Sequence, residues 1–299
     1  MYLRRVQESC EWGLVMSEQP LQGKVAIVTG AGSAKGMGLA ITKALAGAGA
    51  RVAMLDVDRE SLEASAAEVR KIGGPGSALP IVCDVSEPED TEMAVEKTIA
   101  ELGGLHILVN NAGIHPRIPA LPSGVQFSNI PIDVYVKTMN INGIGPFLMA
   151  RAAVGHMVDQ GWGRIIGVTT SLDTMVRVTP YGPAKAAHEA LTTIIARQVK
   201  GTGVTANVLT PGGSVDTNLN LNSTKYSDPS LPPRAPGPDQ RPPEVMQAPA
   251  LWMMSDEAAD FNGQRIVAEF WDDSLPLKER LAKCSQPAGW AVLGRPGNG

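Results

Sequence analysis

Tyr181 and Lys185 stand four residues apart in the stretch YGPAK, and Ser171 lies ten residues before the tyrosine. A phenol is a weak acid with a free pKa of about 10. A neighbouring ammonium stabilises the phenolate and draws that value down, and a spacing of four puts both groups on one face of a helix. Add a hydroxyl to hold an oxygen, and the set suits interconversion of a ketone and a secondary alcohol, provided something else carries the hydride. Thr170 offers the same hydroxyl chemistry as Ser171 and is the alternative. YGPAK alone also suits an ordinary helix start, so the surroundings decide.

A hydride carrier has a place upstream. The apolar run KVAIVT (24–29) leads straight into TGAGSAKGMGLA (29–40). Its glycines fall at 30, 32, 36 and 38, between a strand and a helix. Glycine lets the backbone turn tightly and approach a pyrophosphate, whose charge rests on the helix N-terminus. Gly30, Gly32, Ser33, Gly36, Met37 and Gly38 are therefore candidate cofactor contacts. The spacing is GxxxGxG rather than GxGxxG, and no GK[ST] follows, which disfavours triphosphate hydrolysis. The next apolar run, RVAMLD, ends at Asp56. A carboxylate there accepts hydrogen bonds from a ribose and repels a 2′-phosphate, which favours NAD over NADP. Lys35 in the loop pulls the other way.

The elements that must position these groups alternate. Strands are expected at 24–29, 51–56, 78–85, 106–113, 163–171 and 203–213. Helices are expected at 36–50, 60–74, 88–104, about 131–159 and about 180–200. One helix and one strand follow within 243–270. This alternation predicts an α/β fold: a doubly wound, mostly parallel sheet of the Rossmann type with helices on both faces. The Pro-rich segment 218–243 reads as a long substrate loop in a single domain, 16–271, rather than as a linker. The tail 272–299 shows little periodicity, with Trp290 as its anchor. Residues 1–15 are expected to be a disordered extension, Met16 being a second plausible start.

Taken in order, TGAGSAKGMG, CDV (83–85), NNAG (110–113), Asn140 in NING, Ser171 with YGPAK, and PGG (211–213) resemble the short-chain dehydrogenase/reductases in their single-domain form, over residues 23–270. The resemblance implies a seven-stranded sheet, NAD or NADP as cofactor, and homodimers or homotetramers. It implies catalytic roles for Ser171, Tyr181, Lys185 and Asn140, the last orienting a water that relays protons from Lys185. It also implies adenine contacts from Asp84 and Val85, a cleft wall from Asn110, Asn111, Ala112 and Gly113, and nicotinamide contacts from Pro211, Gly212, Val215 and Thr217. Tyr181 and Lys185 would touch the cofactor as well. Members of this kind are called 3-oxoacyl-carrier-protein reductases or polyol and gluconate dehydrogenases, labels that rest on general likeness. The turn departs from the family pattern by two extra residues, and the Ser171–Tyr181 spacing is short.

Composition bounds the rest. The 299 residues are 43% apolar, and 26 basic residues face 30 acidic ones, which gives no case for nucleic acid or an anionic membrane. No run approaches the ~18 apolar residues of a membrane span. Cys10, Cys83 and Cys284 are scattered, so neither a disulfide framework nor a metal site is expected. These features fit a cytoplasmic enzyme acting on a small molecule. His106 is read as structural and His188 as packing or surface. His115 and Arg117 rim the substrate pocket or lie in a solvated loop. A methyltransferase would not need Ser171, Tyr181 and Lys185 together. A non-catalytic NAD(H) sensor on the same fold is the other alternative.

Overall fold

A computed structural model describes residues 19–116, 127–217, 219 and 240–289. The expected extension 1–15, Arg117, Trp290 and most of the loop 218–243 lie outside these residues. Strands β1 (Val25–Thr29), β2 (Arg51–Asp56), β3 (Ala78–Val82), β4 (Ile107–Asn110), β5 (Gly163–Val168), β6 (Val204–Thr210), β7 (Gln264–Val267) and β8 (Ser285–Pro287) form one sheet. Its order is β3-β2-β1-β4-β5-β6-β7-β8, parallel from β3 to β7. Every residue of β1, β4, β5 and β6 is buried, as strands covered on both faces must be.

Helices α1 (Met37–Gly47) and α2 (Arg59–Gly73) cover one face together with α8 (Gln247–Met254). Helices α3 (Pro88–Leu102), α5 (Gly145–Asp159) and α7 (Tyr181–Gln198) cover the other. The chain reverses its winding between β1 and β4, so a crevice opens where their carboxyl ends part. That crevice positions the site.

Two expectations are corrected. The expected single helix over 131–159 is α4 (Ile132–Met139), a π-helical turn (Asn140–Ile144) and α5. The expected seven strands are eight, because the tail supplies β8, antiparallel to β7. A polar three-residue strand has too little pattern to be read from sequence, and its pairing comes from the β7 backbone. Helix α9 (Leu277–Cys284) precedes it. Neither α9 nor α6 (Leu172–Arg177), the latter N-capped by Ser171, was expected.

A buried ion pair ties the tail to the body. Arg265 on β7 meets Glu189 on α7, with side chains 7% and 0% exposed. The Glu189 carboxylate also accepts from the Gly289 amide at 3.1 Å and the Thr169 hydroxyl at 3.2 Å. Removing one partner strands the other charge in a dry interior. Arg265→Met is therefore expected to cost about 3–5 kcal/mol in urea unfolding. The joint Arg265→Met, Glu189→Leu variant should recover most of that loss; a double variant no better than the single one would count against this account.

Candidate active site

The cofactor side is built on the ends of β1 and β4. The Thr29 hydroxyl accepts from the amides of Asn111 and Ala112 at 3.0 and 2.9 Å, and donates to the Val109 carbonyl at 3.3 Å. The Asn111 side-chain amide returns to the Thr29 and Gly30 carbonyls at 2.9 and 3.2 Å. Gly30 turns with φ +65°, open to glycine at no steric cost. A side chain on Gly38 would collide with the Gly30 carbonyl, so α1 packs directly under the turn. The helix N-cap, Gly36, brings no side-chain cap. Its first-turn amides suit an anion.

At the end of β2, Asp56 accepts from the Gly32 amide at 2.9 Å. A cavity of about 230 Å³ runs from Asp56 past Gly30, Ser33, Gly36 and Met37 to Asn111, Ala112, Gly113, Tyr181, Lys185 and Thr217. A turn that only glycine fits, an uncapped helix start and a carboxylate at the strand end together match the shape and charge of a dinucleotide.

A second cavity, about 310 Å³, meets the first at Met37, Thr169, Tyr181, Thr217 and Leu219. Its wall includes His115, Thr170, Ser171, Thr174, Val178, Pro211, Gly212, Gly213, Ser214 and Val215. Tyr181 stands where the two join. Residues 214–216 and 241 pair through the backbone, and Arg241 forms an ion pair with Glu269 beside Gly213. Both ends of the long loop are thereby pinned beside the cavity.

Burial governs the titrations. Tyr181 is 9% exposed, and desolvation pushes its phenol above the usual range. Lys185 is 3% exposed and lowered by desolvation to about 8. Its Nζ donates to the Val168 carbonyl at 2.8 Å and lies 5.8 Å from the centre of the Tyr181 ring. The sequence-based expectation that Lys185 draws the phenol down is thus outweighed, in the chain by itself, by burial of both groups. His188, one turn on, is wholly buried; desolvation and then the Lys185 charge hold its pKa well down, so the packing alternative holds.

Most predicted residues converge; Gly32, Gly38, Asp84, Val85, Asn110 and Asn140 line neither cavity. Gly38 acts beneath the turn. Asp84 accepts from the Ser86 amide and hydroxyl at 2.9 and 2.6 Å, and Val85 packs against Gly145. Asn140 opens the π turn, but the asparagine turned inward is Asn142. Asn142 is 0% exposed, and it accepts from the Ile114 amide and donates to the Ile114 carbonyl, both at 2.8 Å. A methyl added at Gly113 would sit 3.2 Å from Asn142 Oδ1 and 3.4 Å from Lys185 Nζ. Asn142 therefore stands beside Gly113, next to Lys185. The repeated Asn in NING was the available signal, and a π turn reverses which of the two faces in.

Ser171 and Thr170 both face the second cavity. The Ser171 hydroxyl already accepts from the Thr174 amide at 3.2 Å and shares a hydrogen with the Thr174 hydroxyl at 2.9 Å. Thr174 and Ser214 were not anticipated, because the first sits on the unexpected helix and the second in a turn with no pattern. The cation Lys35 is 61% exposed and lies 4.0 Å from Asp216, a pairing worth little in solvent.

The family model described as short chain dehydrogenase matches residues 24–227. The chain is similar to D-threitol dehydrogenase of Mycolicibacterium smegmatis, 31% identical over 83% of this chain and 92% of that one. It is 32% identical to 2,5-dichloro-2,5-cyclohexadiene-1,4-diol dehydrogenase of Sphingobium indicum, over 83% of this chain and 96% of that one. A crystal structure of a short-chain type dehydrogenase/reductase from Mycobacterium marinum superposes with a TM-score of 0.71 at 31% identity, covering 85% of this chain and 97% of the other.

Asn142→Ala removes both hydrogen bonds to Ile114. It is expected to cost about 1–3 kcal/mol of stability and to lower turnover, whereas Asn140→Ala should change stability by no more than about 0.5 kcal/mol. Thermal unfolding and steady-state rates of the two variants compare them directly, and the reverse ranking would restore Asn140.

Proposed function

The chain belongs to the short-chain dehydrogenase family, and on that basis we propose that it interconverts a secondary alcohol and a ketone, using NAD as the hydride carrier and Tyr181 as acid and base. The observation that carries this reading is the meeting of the two cavities at the Tyr181 phenol. When bound, the nicotinamide cofactor takes or gives the hydride.

The chain's own groups supply the rest. Tyr181 gives a proton to the carbonyl oxygen in reduction and takes one from the hydroxyl in oxidation. Ser171, or Thr170 beside it, holds that oxygen through a hydrogen bond. Lys185, buried near the phenol with its Nζ on the Val168 carbonyl, would present a cation to the ribose of a bound cofactor. Asn142 fixes Ile114 and borders the space next to Lys185, where a proton path to solvent would begin. Pro211, Gly212, Val215 and Thr217 form the wall against which the nicotinamide end would rest. Relatives named as diol dehydrogenases support a substrate carrying a CH–OH group.

Preference for NAD is supported by the charge at the ribose end. Asp56, Asp58, Glu60 and Glu68 line a further cavity beside the glycine turn. The cation near Glu68, Lys43, already bonds it at 2.6 Å. A 2′-phosphate dianion placed there would be repelled. Buried, unpaired Cys83 and Cys284 suit the reducing cytoplasm, and no helix among the described residues is long and apolar enough to cross a membrane. Exposed Ile132, Val136, Ile144 and Phe147 along α4, the π turn and α5 support assembly into a homodimer or homotetramer.

Tyr181→Phe is expected to lower kcat/KM by about 10²–10⁴-fold while NADH still binds. Full activity in this variant would defeat the mechanism, and NADH binding without turnover in the wild type would favour a sensor. NADPH should bind at least about tenfold more weakly than NADH; tighter NADPH binding would refute the cofactor assignment. Lys185 is mostly charged at pH 7 and loses its proton as pH rises through about 8. The reductive kcat/KM should fall across that interval, and a profile flat from pH 7 to 10 would remove Lys185 from the reaction.

A further inference from the structure

The wall of the substrate cavity has a chemical character of its own. Besides Tyr181, the hydroxyl-bearing residues Thr169, Thr170, Ser171, Thr174, Ser214 and Thr217 line it, together with the imidazole of His115. Among the described residues it carries no Lys, Arg, Asp or Glu. The guanidinium of Arg241, beside Gly213, is held by Glu269. A charged substrate buried here would find no counter-ion among the described wall residues, at a large desolvation cost. A hydrocarbon alcohol would satisfy Tyr181 and one hydroxyl and leave the other polar groups against apolar carbon.

His115 is placed to do more than line the wall. Its ring packs edge-on against the Tyr181 ring, with centroids 4.7 Å apart and planes at 65°. It is half-buried, on the loop leaving β4, and the preceding residue is held by Asn142 through both its amide and its carbonyl. The imidazole is thus fixed against the Tyr181 ring. The ring nitrogens of an imidazole donate or accept hydrogen bonds, so one of them can meet a substrate hydroxyl.

We infer that His115 is a specificity-determining residue that binds a second oxygen on the carbon next to the reacting carbinol, making the substrate an uncharged vicinal diol and the product an α-hydroxy ketone. This rests on the dehydrogenase reading of the site. The second hydroxyl is present in both substrate and product, so the contact persists in both directions. Its effect is selection, because a site built to bond a hydroxyl rejects the analogue lacking it far more strongly than a hydrophobic pocket rejects a methylene.

The test is NAD-dependent oxidation of 2,3-butanediol and of 2-butanol by the wild type, His115→Phe and His115→Asn. The wild type should favour the diol in kcat/KM by about 10²-fold or more. In His115→Phe the loss on the diol should exceed the loss on 2-butanol by about tenfold or more, mostly through KM, and His115→Asn should recover part of it. Equal losses on both substrates would mean that His115 only supports the Tyr181 ring, and would overturn the inference. If His115→Phe does not fold, the wild-type ratio decides, and a ratio near one overturns it. Oxidation of 2-butanol with the diol inert overturns the inference and leaves the dehydrogenase reading standing. Oxidation of neither, with NAD or NADP, overturns both.

Discussion

The Thr29 hydroxyl holds the crevice open at a fixed width. It sits at the carboxyl end of β1, takes two amides from the turn after β4 and gives its own hydrogen to β4. Those bonds join the two strand ends at which the winding reverses, where no ladder continues to hold them. The Asn111 side chain closes the same knot from the other side, through the Thr29 and Gly30 carbonyls. With the ends so fixed, the glycine turn, the start of α1 and the wall from Asn111 to Gly113 become one rigid surface. Everything proposed for the cofactor depends on that surface.

Around it the fold accepts costs that a plain core would avoid. A phenol, an ammonium, an imidazole and a Glu–Arg pair are buried along α7 and its neighbours. Burial alone raises the phenol and lowers the ammonium, which leaves each nearer its neutral form. The π turn is a related device. Inserting one residue into the helical ladder turns Asn142 inward, where it serves the Ile114 backbone and, through it, the loop bearing His115.

The same helix connects the site to the end of the chain. Glu189 lies one turn beyond Lys185 and gathers Thr169, Arg265 and the Gly289 amide. Thr169 is the residue before Thr170, so the carboxylate that anchors the tail also fixes the backbone carrying the hydroxyls of the substrate cavity. A tail with little internal pattern thus becomes part of the scaffold beneath the chemistry.

Much of this was legible in the sequence because it is local. Buried parallel strands read as short apolar runs, and the glycines at 30, 36 and 38 mark a turn whatever surrounds them. Tyr181 and Lys185 share a face by helical period alone, so the strand–helix order, the winding and the Tyr–Lys pair could be read from residue spacing. The two cavities could not, because each is assembled from segments far apart in the chain. The choice of Asn142 over Asn140 depends on one inserted helical residue, which spacing does not announce. β8 exists only because β7 offers it an edge. The burial of Tyr181 and Lys185 was not legible for the same reason: adjacency is a local property, but desolvation is the sum of everything packed around a group, and only the folded chain decides it.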